Sequence, residues 1–140
     1  MIKRYENQTQ EDLDLLYTDI TNINNKVKEV KKKLNNNSYL VSSTNEDFKY
    51  IIKTCELAIK LVKSMPNDRL LIPGIIERLE FSKIQASQWK GCNDESLRKH
   101  ILNNVIPIFK TYLSEITNNL YLIDNNKTRL NELLVSISKL

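Results

Sequence analysis

The first long segment of the chain has an apolar residue at every position where a helix would contact a neighbouring helix. The spacing alternates between three and four residues from position 13 to position 34, which is the heptad pattern of packed α-helices. Acidic residues begin this segment and a run of asparagines follows it, so we predict one helix over residues 10–34. The apolar positions are Leu13, Leu16, Ile20, Ile23, Val27, Val30 and Leu34.

A second and longer seam lies near the other end of the chain, interrupted by Pro107. Because the seam keeps its phase across the proline, we expect a kink, or a close restart with proline in the first position. Extra apolar residues, including Ile108 and Tyr112, widen the stripe as in a bundle core, and beyond Asp124 the stripe narrows as in a two-helix contact. The seam consists of Leu102, Ile106, Phe109, Leu113, Ile116, Leu120, Ile123, Lys127, Leu130, Leu134 and Ile137.

Two further helices are predicted between these seams. Thr44 can begin one over residues 44–64, and Pro73 suits the first position of another over residues 73–90. The last helix then covers residues 93–139. With two glycines and three prolines, the chain is poor in the residues that tight turns need. We therefore predict an all-α protein of 140 residues, in which a single domain forms an antiparallel bundle of four or five helices.

The side chains that could perform catalysis do not form a recognisable site. The one histidine, His100, lies about 12 Å along a helix from Cys92, which is beyond hydrogen-bond reach. Cys55 lies on an apolar helix face, where a thiol usually acts as a small hydrophobic group. The sequence has no glycine-rich phosphate loop, metal-ligand spacing or nucleophile elbow. We therefore predict a protein without enzymatic activity, cofactor or metal.

The expected location is inside the cell, in the cytoplasm or the nucleus. The first twelve residues are mostly polar, and no run approaches the roughly 18 apolar residues that a spanning helix needs. The two cysteines do not suggest a disulfide framework.

Lysine is concentrated at the end of the first predicted helix. Five lysines, offset there by Glu29 alone, account for the net charge of +4. One interpretation is an anion-binding site for the phosphates of nucleic acid or of anionic lipid. The alternative is that the lysines complement the negative end of the helix dipole and flank the seam, which the lack of interleaved aromatic residues favours. The five are Lys26, Lys28, Lys31, Lys32 and Lys33.

The third predicted helix has apolar side chains on two faces. One face ends at Trp89, which is either an interface anchor or a core residue. Phe81 and Ile84 project from nearly the opposite side. Either both faces are enclosed by the bundle, or Phe81 and Ile84 are exposed for recognition.

These patterns predict an assembly subunit, adaptor or scaffold that acts through coiled-coil-like helix packing on a protein partner or a second copy. Helix 1 could pack on the last helix of its own chain or on another chain, and a partner is expected to dock at helix 1 and the last two heptads. Binding of nucleic acid or an anionic membrane through the lysines is the alternative. The candidate partner surface consists of Phe81, Ile84, Trp89, Leu130, Leu134 and Ile137.

Overall fold

The computed structural model describes the backbone of residues 2–65 and 71–140, and the side chains of residues 10–65 and 72–140. Within those ranges no strand occurs, and the prediction of an all-α helical bundle is confirmed. A π-helical segment, Ile101–Val105, leads into the fourth long helix. The long helices are α1 (Ile2–Asn35), α2 (Asn45–Ser64), α3 (Leu71–Trp89), α4 (Ile106–Ile123) and α5 (Lys127–Ser138). Short helical turns are Val41–Thr44, Glu95–Leu97 and Arg98–His100.

The first and third helices begin earlier than predicted. The helix α1 begins at Ile2, well before residue 10, and residues 2–9 contain neither glycine nor proline that would interrupt it. The helix α3 begins slightly before Pro73, which is compatible with the tolerance of a first helical turn for proline.

The first four long helices pack in chain order, and α5 adds to them beside α1. The helix α1 packs on α2, α2 on α3 and α3 on α4, while α5 contacts both α4 and α1. The helices α1 and α5 run in the same direction. Asp14 in the first half of α1 pairs with Arg129 at the start of α5, and Lys31 near the end of α1 donates to the Leu140 carbonyl beyond the end of α5.

The predicted helix over residues 93–139 is divided at Asp124. The backbone there is extended, with φ −99° and ψ 136°. Asn126 caps the start of α5, because its side chain accepts a hydrogen bond from the Arg129 N–H. The Asp124 carboxylate accepts a hydrogen bond from the Asn126 N–H at 3.1 Å, so short polar side chains stabilise the turn. The heptad pattern does not reveal the break, since its phase continues unchanged across it.

Pro107 lies in the first turn of α4, close to the predicted restart. In the preceding π-helical turn the Ile106 N–H donates to the Ile101 carbonyl. This wider turn relieves the clash that a proline ring makes with the carbonyl one α-helical turn earlier. The helical path therefore continues through Pro107.

The seam of α1 is buried within the one chain, and so are most positions of the second seam. All seven apolar seam residues of α1 are at most 5% exposed, so α1 packs against helices of its own chain. The polar seam member, Lys127, is half-buried, and its amino group donates to the Tyr121 carbonyl in the last turn of α4. In the part of the chain that the structure describes, no helix has the length and apolar content needed to cross a bilayer.

Candidate interaction surface

Exposed apolar side chains of α3 and α4 adjoin each other on the outer side of these helices. Phe81 is 40% exposed and Ile84 is 54% exposed. The centroids of the Phe81 and Tyr112 rings lie 5.6 Å apart. Pro107, Ile108 and Tyr112 line a groove beside these residues, together with Thr111. We define the α3–α4 patch as Phe81, Ile84, Pro107, Ile108 and Tyr112.

The position of Phe81 and Ile84 follows from the burial of the other side of α3. Leu79 and Ala86 are fully buried in the core, and Phe81 and Ile84 project away from them. Residues three apart share a helix face, so Phe81 and Ile84 are neighbours on the outer surface. Of the two alternatives for the third helix, the structure thus places Phe81 and Ile84 at the surface.

An ion pair joins α3 to α4 beside the patch. The Arg78 guanidinium pairs with Glu115 on α4 and donates to the Gly74 carbonyl at 3.1 Å. Gly74 permits this close approach, because a Cβ there would lie 3.1 Å from the Asn119 side chain. The patch therefore lies on two helices whose relative position is already set, which reduces the entropy lost on binding.

Trp89 is a packing residue at the end of α3. Its ring is half-buried and lies 5.4 Å from the His100 ring between centroids. The Trp89 indole N–H is buried and has no hydrogen-bond partner among the described residues. His100 is exposed, and its Nδ1 lies 3.0 Å from the Asn104 amide nitrogen. Trp89 therefore joins α3 to the segment that leads into α4 and is not a freely exposed anchor.

The α5 members of the predicted partner surface lie inside the protein. Leu130 and Ile137 are fully buried, and Leu134 is half-buried. They face inward because the turn at Asp124 folds α5 back against α4 and α1. The expectation that a partner docks at helix 1 and the last two heptads is corrected accordingly, since other helices of the same chain cover most of these seams.

Two of the five lysines of α1 face α2. Lys33 Nζ lies 2.8 Å from an oxygen of Asp47, a carboxylate that is only 5% exposed. Lys26 Nζ lies 3.8 Å from the other Asp47 oxygen and 4.7 Å from the centre of the Tyr50 ring. The hydrogen bond from Lys26 to Glu29 raises the pKa of Lys26. These lysines therefore stabilise the contact between α1 and α2.

Two other lysines face α5, on a different side of α1. Lys28 Nζ donates to Ser136 Oγ at 2.5 Å, and Lys31 Nζ donates to the Leu140 carbonyl at 2.5 Å. Lys32 is exposed. The predicted anion-binding cluster is thus divided between two sides of α1, and four of its members form hydrogen bonds within the chain.

The thiols and carboxylates are dispersed among the helices. Burial raises the pKa of the Cys55 thiol to about 12, which leaves it un-ionised at neutral pH. Partial burial also raises the pKa of Asp19. The described residues contain no group of three or more histidine, cysteine, aspartate or glutamate side chains that could hold a metal ion.

Sequence reasoning missed three members of the α3–α4 patch. Ile108 and Tyr112 were expected only to widen the core stripe of the last helix, and Pro107 only to interrupt it. The four-residue spacing of Ile108 and Tyr112 places them on one edge of α4. That edge borders α3, and only the packing of the two helices brings Tyr112 against Phe81.

Comparison of the chain with protein-family models, with curated proteins and with solved structures found no match. The interpretation of the α3–α4 patch therefore rests on its own geometry.

Proposed function

We propose that the protein is an intracellular, non-enzymatic interaction protein that binds a protein partner through the α3–α4 patch. The observation that carries the proposal is the surface formed by the exposed side chains of Phe81 and Ile84 together with the half-buried ring of Tyr112. Aromatic side chains are enriched at interfaces, because they bury a large apolar area when they bind. An assembly subunit, an adaptor or a scaffold would use such a surface.

The shape of the patch fits an amphipathic helix from the partner. Pro107, Ile108 and Tyr112 line a groove along α4, and Phe81 of α3 packs on Tyr112 at its edge. Gln85 and Gln88 add uncharged polar groups on α3. A partner helix would therefore be attracted mainly by removal of apolar surface from water, with its apolar face packed against the groove.

The lysines of α1 support the alternative of anion binding less well. Lys33 would have to leave the buried Asp47 carboxylate to reach a phosphate, and Lys28 would have to leave Ser136. An uncompensated buried carboxylate is unfavourable. The arrangement thus favours a protein partner over nucleic acid or an anionic membrane.

The proposal is tested by comparing Ile84→Asp with Leu57→Asp. Both side chains are 54% exposed, but Leu57 lies on α2 outside the patch. Tagged proteins are produced in the native host cells and purified after brief crosslinking, and the proteins that co-purify are quantified by mass spectrometry. We expect partners that are retained by wild type and by Leu57→Asp to be depleted at least tenfold by Ile84→Asp.

Urea unfolding of both purified variants is the control for folding. A partner recovered equally with both variants would contradict the proposal. For a purified partner, Phe81→Ser provides a second measurement. It removes the ring that packs on Tyr112, and unchanged affinity of this variant would also count against binding through the patch.

A further inference from the structure

The connection between α4 and α5 has the properties of a hinge. It comprises three residues, Asp124, Asn125 and Asn126, between Ile123 and Lys127. None of the three is glycine or proline, and no non-glycine residue of the described ranges has a positive φ. The heptad spacing also continues in phase through the connection. The same residues can therefore extend α4 directly into α5 as one helix, at the small cost in helix propensity that asparagine and aspartate carry.

The contacts that hold α5 in place are made with α4 and with α1, and the partners on α1 are far away in the sequence. Arg129 Nη1 lies 2.7 Å from an Asp14 oxygen, and Ser136 Oγ accepts a hydrogen bond from Asn24 Nδ2 at 3.0 Å. Leu130 is fully buried in the same packing. Every copy of the chain offers the same groups on α1. An α5 from a second copy could therefore make these contacts without any change in their chemistry.

We propose that α5 exchanges between two copies of this chain, forming a dimer in which each copy completes the bundle of the other. The hinge Asp124–Asn126 becomes helical. The α5 of each copy then packs on the α1 of the other copy, at the surface that α5 of the same chain covers in the monomer. The proposal concerns contacts on α1 and α5 and does not depend on the α3–α4 patch.

The directions of the helices allow the exchange to form a closed dimer with two-fold symmetry. In a continuous helix, α5 points away from its own bundle and runs opposite to its own α1. It is parallel to the α1 of a copy that is related by a two-fold axis perpendicular to the helices. Because each copy gives one α5 and receives one, no unpaired surface is left to recruit a third copy.

The charged residues beside the hinge are also compatible with a two-fold axis at this position. Two antiparallel helices that cross midway between residues 125 and 126 place position 124 of one copy opposite position 127 of the other. These positions hold Asp124 and Lys127, which carry opposite charges. The crossing therefore pairs an acid with a base twice.

The monomer has its own interactions at the closed hinge. The Asp124 carboxylate is 1% exposed and accepts hydrogen bonds from the Asn126 N–H and from Arg129 Nη2. Opening the hinge replaces these bonds with those of a continuous helix. Substitutions at the hinge should therefore change the ratio of dimer to monomer, whereas substitutions in the contact of α1 with α5 affect both forms alike.

The first test compares Asn125→Ala/Asn126→Ala with Asn125→Pro. The double alanine variant removes the cap of α5 and favours a continuous helix. Proline at 125 keeps Asp124 extended and prevents a helix through the hinge. After refolding at high protein concentration, light scattering coupled to size-exclusion chromatography measures the dimer fraction. We expect the double alanine variant to be mostly dimeric and the proline variant to be monomeric. A monomeric double alanine variant overturns the proposal.

The second test distinguishes exchange from a dimer formed between outer surfaces. Asn24→Cys/Ser136→Cys places two thiols where the side chains are in hydrogen-bond contact, and Cys92→Ser removes the half-buried native thiol. In the exchanged dimer the oxidised pair links two chains, so a non-reducing denaturing gel shows a covalent dimer. The same pair with Asn125→Pro should give only internally linked monomer. A dimer in solution that runs as single chains on this gel overturns the proposal.

A substitution in the α3–α4 patch distinguishes exchange of α5 from partner binding through the patch. Ile84→Asp should leave the dimer fraction of the double alanine variant unchanged, because Ile84 lies on the outer face of α3. Loss of the dimer in this variant would assign the dimer contact to the patch and overturn exchange of α5.

Discussion

At the scale of single residues, neighbours on other helices decide what a charged side chain does. Lys32 and Lys33 are consecutive in the sequence and identical in chemistry. Lys33 reaches the nearly buried Asp47 on α2, while Lys32 is exposed to solvent. A run of lysines at the end of a helix is therefore not by itself a binding site, because helix geometry sends consecutive side chains in different directions.

Replacing Lys33 should therefore cost stability, and replacing Lys32 should not. We expect Lys33→Met to lower the free energy of unfolding by about 1–2 kcal/mol, since it leaves the Asp47 carboxylate without its close partner. Lys32→Met should change it by less than about 0.5 kcal/mol. Urea denaturation followed by circular dichroism measures both. Equal effects of the two substitutions would show that Asp47 does not depend on Lys33.

Asp124 should make the stability of the protein sensitive to acid. Burial alone raises the pKa of this carboxyl, but hydrogen bonds from Arg129 and from the Asn126 N–H outweigh burial and leave the pKa below its ordinary value of 3.8. The pKa of Asp124 is lower in the folded protein than in the unfolded chain. The ionised carboxylate therefore stabilises the fold at pH values above the pKa of the unfolded chain. The stabilisation is lost as the pH falls through the lowered pKa.

Unfolding curves between about pH 2 and pH 7 measure this effect. Asp124→Asn should be less stable than wild type at neutral pH, and the difference should shrink as the pH falls below the ordinary pKa of 3.8. A difference that stays constant over the whole range would mean that ionisation of Asp124 does not stabilise the fold.

At the scale of helices, periodicity identifies the buried face correctly but not the end of a helix. The seam of α1 is buried at every predicted position, because helical spacing alone decides which residues share a face. The end of α4 depends instead on hydrogen bonds made by Asp124 and Asn126. These bonds are independent of the heptad spacing, and the uninterrupted heptad phase therefore predicts one helix where the structure has two.

Neighbouring leucines in α1 offer a test of the buried face. Leu16 is fully buried, and Leu15 beside it is 56% exposed. Leu16→Ala should lower the free energy of unfolding by about 2–5 kcal/mol, because it leaves a cavity in the core. Leu15→Ala should cost less than about 0.5 kcal/mol, and alanine is also the better helix former. Chemical denaturation of both variants measures the two losses in the free energy of unfolding. A larger loss for Leu15→Ala than for Leu16→Ala would mean that the buried and exposed faces of α1 are assigned the wrong way round.

At the scale of the whole molecule, α5 is expected to belong to one cooperative unit with the other helices. The single tryptophan, Trp89, reports on this because it packs at the far end of α3 against His100. Leu130 lies in α5 and is fully buried, whereas Val135 in the same helix is 55% exposed. A substitution in α5 that changes the unfolding of the region around Trp89 would show that the bundle unfolds as one domain.

Leu130→Ala should therefore shift the transitions of tryptophan fluorescence and of circular dichroism together to lower denaturant. The expected loss is about 2–5 kcal/mol. Val135→Ala is the matched control and should leave both transitions in place. A fluorescence transition that stays at its wild-type position, while part of the helical signal is lost early, would contradict a single cooperative domain.

The helical character of this protein and the buried side of α1 follow from its sequence alone, whereas the sequence leaves two faces of α3 open. Both properties are local, because heptad spacing and the scarcity of glycine and proline act within a few turns of the chain. What covers each buried side depends on how the helices pack. The turn at Asp124 makes Leu130 and Ile137 core residues, and the packing of α4 on α3 brings Tyr112 beside Phe81 at the surface. A heptad seam specifies that a helix needs a neighbour, but the neighbour itself depends on residues more than a hundred positions away, as in the contact of Asn24 with Ser136.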